Sequence, residues 1–98
     1  YQLDTWLFWV DMMHQMGEYK NAILTLIQAT EYFQNEYEIE YRLAGLHHML
    51  NENEKGNYHL VNACTINFKN HTILKELFPQ VWEKEEVQKY IQKHDKQE

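Results

Sequence analysis

Only one proline and three glycines punctuate a chain of 98 residues, which leaves little turn chemistry for an all-β architecture. A single cysteine, Cys64, excludes an internal disulfide, and with no charged-then-apolar leader the default setting is a reducing, cytoplasmic one. Positive charge is scarce as well. Nine Lys and Arg against fifteen Asp and Glu give a net charge of −6, which offers the phosphate backbone of a nucleic acid little to bind. The longest apolar run, Trp6 to Val10, is cut by Asp11, far short of the roughly 18 residues that a membrane-spanning helix needs. No Gly-rich phosphate loop, Ser–His–Asp layout or dinucleotide fingerprint is present, so the residues point away from an enzyme. The chain opens at Tyr1 rather than at Met, which reads as a piece cut from a longer protein.

What is present is apolar and aromatic surface, 44% and 14% of residues, far more than a disordered tail carries. It is arranged as a repeat. Shifting the chain by 34 residues lays His14 on His48, Glu18 on Glu52, Leu26 on Leu60 and Ala29 on Ala63. The same shift pairs Trp9 with Leu43, Met12 with Leu46, Met16 with Leu50, Ala22 with Gly56 and Ile27 with Val61. Each unit reads as two amphipathic helices. In the first, Trp6, Trp9, Met13 and Met16 recur at helical spacing, Gly17 supplies a left-handed turn, and Ala22, Leu26, Ala29 and Phe33 mark a second helix, widened by Ile23, Leu24 and Ile27. In the second, Ile39, Leu43, Leu46 and Leu50 form the stripe and Asn51 takes the turn. Leu60, Ala63 and Ile66 or Asn67 continue its partner helix. The small residues Ala22, Ala29, Gly56 and Ala63 let paired helices approach closely.

The run Gly17-Glu18-Tyr19-Lys20-Asn21-Ala22-Ile23, followed by Leu26 and Ala29, resembles the turn and second helix of the tetratricopeptide repeat family. Trp6 matches that family's first bulky position, Leu43-Ala44 resembles its Leu-Gly pair, and Gly56, Leu60 and Ala63 fall on its small, large and small places. Val10, Met13 and His47 depart from the pattern, and no proline closes either repeat. The resemblance implies an all-α solenoid of two helical hairpins, residues 3–36 and 37–70. Beyond them Ile73, Leu74, Leu77 and Phe78 start a helix that Pro79 stops, and residues 84–94 form another with Val87, Tyr90 and Ile91 on one side. Residues 71–98 then close the array as C-terminal capping helices.

The chemistry-bearing residues read blandly. His47 and His48 are adjacent, His59 and Cys64 are five apart and His71 lies on another segment, so no pair has the spacing of a helical zinc site. Cys64, next to Ala63 on an apolar face, reads as core. Glu36, Glu38, Glu40, Glu83, Glu85 and Glu86 lie in solvated charge runs. Asn70-His71-Thr72 is a glycosylation pattern with no secretory context. Neither a metal nor a cofactor is expected.

The resemblance further implies a scaffold for protein binding, in which the first helix of each unit lines a concave groove for an extended peptide or a partner helix. Carried over by position, Asp4, Leu7, Asp11 and His14 face it from the first unit, and Glu38, Tyr41, Gly45 and His48 from the second, with Arg42 nearby. Asp4, Asp11 and Glu38 would repel an acidic ligand, so the expected partner is neutral or basic with an aromatic or aliphatic anchor. The alternative is a structural segment that docks through its first helix, which is apolar nearly all round. Self-association is then expected, with Trp6, Phe8 or Val10 at the contact.

Overall fold

The computed structural model describes residues 2–97; Glu98, the last residue of the expected cap, lies outside them. Among the described residues there are seven α-helices and no strand: α1 (Leu3–Gln15), α2 (Tyr19–Ala29), α3 (Tyr37–Met49), α4 (Asn53–Asn67), α5 (Ile73–Leu77), α6 (Pro79–Trp82) and α7 (Glu85–Gln97), with a 3-10 turn at Phe68–Asn70 between α4 and α5. α1 packs on α2 and α3 on α4, so residues 3–70 form two helical hairpins.

The repeat is visible in the backbone itself. α1 and α3 begin at Leu3 and Tyr37, and α2 and α4 at Tyr19 and Asn53, each pair 34 residues apart. The turns agree atom by atom. Gly17 (φ 80°) donates its N–H to the His14 carbonyl at 3.0 Å, and Glu18 to that of Met13 at 2.9 Å. Asn51 (φ 61°) donates to His48 at 3.0 Å, and Glu52 to His47 at 2.9 Å. This pair of bonds satisfies the last carbonyls of a helix through one left-handed residue, which glycine adopts freely and asparagine tolerates. None of α1 to α4 has a side-chain hydrogen bond at its N-cap, so these helices rely on packing to begin where they do.

α3 is the centre of the molecule, buried without a break from Tyr41 to His48. α2 covers one side, α4 another, and α5 and α6 lie across the side that also meets α1. α7 packs on α4 and buries Val87 and Ile91. Pro79 ends α5 and opens α6, the one helical position where its missing N–H costs nothing.

The small-residue positions are closed: Ala22, Ala29 and Ala63 have no exposed surface, and Gly56 is buried against the ring of His48. Ala29→Leu and Ala63→Leu should each destabilise the chain by about 1–3 kcal/mol through overpacking. Denaturant melts are the check, and unchanged midpoints for both would contradict the helix contacts described here.

The buried side of α1 differs from the expected one. Leu7 and Val10 enter the core, whereas Trp9 and Met16, expected in the buried stripe, are 57% and 62% exposed. Leu24 and Ile27 of α2 also face outward. Both helices carry apolar residues on several sides, so their own pattern does not select which side the neighbours cover.

Candidate functional site

Two surfaces bear on function: the face shared by α1 and α3, and the end of the molecule formed by α1 and α2. The first is the expected groove, and it is occupied. Phe78 at the junction of α5 and α6 lies directly over Gly45, where a Cβ would collide with the ring, and it stacks on His14 with centroids 4.5 Å apart. Leu7, Tyr41, Arg42, Gly45 and His48 are buried, not open to a ligand. Of the nine groove positions, Asp4 alone is exposed; Asp11, His14 and Glu38 are partly covered. The reason is that the chain beyond residue 70 folds back across this face instead of only capping the last hairpin.

The buried polar side chains on this face have structural partners. Arg42 makes a two-pronged bond to Asp11, Nε to Oδ1 at 2.9 Å and Nη2 to Oδ2 at 3.0 Å, and Nη1 donates to Glu38 Oε1 at 2.9 Å. Burial opposes the guanidinium charge, but the bonds to Asp11 and Glu38 outweigh it and hold the group above its ordinary pKa. The Tyr41 hydroxyl donates to the Asn67 carbonyl at 2.8 Å and lies 3.9 Å from the buried Cys64 Sγ. His47 bonds Glu52 and His59 bonds Glu40, each at 2.8 Å, with the two imidazoles stacked parallel 5.5 Å apart. The His47 bond holds the partly exposed Glu52 carboxyl below its usual range. Among the described residues, no group of three or more His, Cys, Asp or Glu side chains is arranged so that it could hold a metal ion.

The second surface is open. Thr5, Trp6, Trp9, Met13, Thr25 and Tyr32 line a cleft of about 400 Å³ between α1 and α2. Trp6 and Tyr32 approach with centroids at 5.9 Å, and the Thr25 hydroxyl is already spent on the Asn21 carbonyl at 2.9 Å and the Met13 sulfur. The cleft therefore offers aromatic and thioether surface with little hydrogen bonding, the composition of a seat for an apolar side. Phe8, Met12, Met16, Leu24 and Ile27 extend exposed apolar surface around it. Of the three residues expected at a self-contact, Trp6 lines the cleft and Phe8 is exposed, but Val10 is 1% exposed and belongs to the core, since the hairpin packs on that side of α1.

The internal repeat shows how such a surface is closed elsewhere in the chain. Thr5, Trp9 and Met13 correspond, 34 residues on, to Ile39, Leu43 and His47, all buried on a helix that packs against α2. Sequence reasoning missed the closed face but had one signal for it. Gly45 stands in mid-helix, where glycine costs about 1 kcal/mol relative to alanine, and such a residue marks close approach by another segment. No family model, curated protein or solved structure matches this chain.

Proposed function

We propose that this chain is a non-catalytic, cytoplasmic protein–protein interaction scaffold, a solenoid segment of two tetratricopeptide-like hairpins with C-terminal capping helices. The 34-residue spacing of helix starts and turns supports the family reading. One observation carries the functional reading: the apolar cleft of Trp6, Trp9, Met13 and Tyr32 is open, while Leu43 and His47, which correspond to Trp9 and Met13 in the second hairpin, are buried on a helix that packs against α2. The partner is a protein that presents an amphipathic helix with an aliphatic or aromatic stripe, neutral or basic on its flanks because this chain carries net charge −6. The α1–α3 face serves as a binding groove only when the C-terminal segment is displaced. Nucleic acid and membrane are not partners in this reading.

Trp9→Glu tests it, because Trp9 is mostly exposed and its replacement leaves the core intact. A partner recovered with the native chain should bind the variant at least ~30-fold more weakly, the effect of losing an anchor worth about 2 kcal/mol. Equal recovery of the same partners would overturn the assignment. A second reading rests on the same exposed apolar surface, in which the occupant is another copy of this chain. Sedimentation at rising concentration separates the two, since only self-docking gives a dimer of native chain that Trp9→Glu abolishes.

A further inference from the structure

The C-terminal segment lies over α3 by an apolar contact, Phe78, and a polar one, Lys84. Lys84 Nζ lies 3.0 Å from Nδ1 of His48 and 2.9 Å from Oδ1 of Asn53. An ammonium group can only donate, so Nδ1 must present its lone pair. On the other edge of the ring, Nε2 is 2.9 Å from Oδ1 of Asn57, whose amide nitrogen donates to Glu86 at 3.1 Å. An ionised carboxylate only accepts, which fixes the amide and makes Nε2 the nitrogen that carries the proton. His48 is thus held neutral, in one tautomer, by partners on both sides. Its ring is 2% exposed and pressed against Gly56.

We propose that His48 is a proton-operated latch: neutral, it holds Lys84 and helps to keep the C-terminal segment closed over the α1–α3 face; protonated, it loosens that segment. A proton on Nδ1 removes the acceptor that Lys84 uses and sets a second cation against the ammonium. The ionisable groups that act on His48 are Lys84 and Glu86, both from the C-terminal segment, while α4 contributes the amides Asn53 and Asn57. Burial is the main cause that lowers the His48 pKa and Lys84 adds to it, with Asn57, Glu86 and Asn53 opposing. His14, stacked under Phe78, is lowered as well, again mainly by burial. Both histidines therefore act in one direction. A folded pKa below the ordinary 6.5 contributes stability that is complete above that value and is lost as pH falls through the folded pKa.

Amide hydrogen exchange on the intact chain, corrected for the intrinsic effect of pH, tests the latch. Below about pH 6.5, protection in α7 should fall by up to ~tenfold per pH unit until the folded pKa is reached, while the α1–α2 hairpin changes less than ~twofold. His48→Gln keeps an acceptor for Lys84 and a donor for Asn57 without a titrating proton, and its α7 protection should lose that pH dependence. Nitrogen-15 spectra of the native chain give an independent reading, with the Nε2–H tautomer expected at neutral pH. Parallel loss of protection in α7 and in α1–α2, or a His48 that carries its proton on Nδ1, would overturn the proposal whether or not the variant folds.

Discussion

Phe78→Ala is expected to remove about 3–5 kcal/mol of stability, the cost of deleting a buried aromatic ring. A domain of this size has about 5–15 kcal/mol in total, so the variant should be close to unfolding. The ring is 1% exposed and fills the space left by the missing side chain of Gly45, with His14 stacked on its other side. Little could move in to replace it, because α3 and α1 are fixed by their own hairpins. A denaturant midpoint near that of the native chain would mean that the C-terminal segment is not seated on Gly45.

Asp11→Ala should cost about 1–3 kcal/mol, because it leaves the buried Arg42 with Glu38 as its one remaining carboxylate. Arg42→Met should cost less. It replaces the guanidinium by an apolar side chain of similar reach and leaves behind two carboxylates whose side chains are each 32% exposed and can be hydrated. The order of the two melting midpoints is the measurement. If Arg42→Met proves the more damaging, the ion pair contributes net stability and the desolvation argument fails.

The repeat was legible in the sequence because it is a local matter. Gly17 and Asn51 terminate their helices by backbone geometry alone, and the alanines at 29 and 63 record close helix contacts at the same place in each unit. The buried side of α1 was not legible. Trp6, Leu7, Phe8, Trp9 and Val10 are consecutive and apolar, so the choice of Leu7 and Val10 over Trp9 was made by α2 and α3. The cover over the expected groove was hidden for a different reason. Ile73, Leu74, Leu77 and Phe78 were recognisable as a helix to be buried, but where they would be buried depends on contacts distant in sequence, with Gly45 and His14. His48 shows the same limit. Its 34-residue correspondence with His14 places it on the expected groove, and only the position of Lys84 reveals it as a polar junction.

The two ends of the molecule are chemically unequal. At one end α1 and α2 leave an aromatic cleft; at the other, α7 turns Val87 and Ile91 inward and presents Glu85, Lys89, Gln92 and Lys93 to water. A head-to-tail contact would press the cleft against the hydrated charges of α7, a poorer match than a second cleft. Two copies facing each other across a two-fold axis would bury both clefts at once and leave no apolar end to extend. If the cleft takes a second copy of this chain, the asymmetry favours a closed pair over a filament.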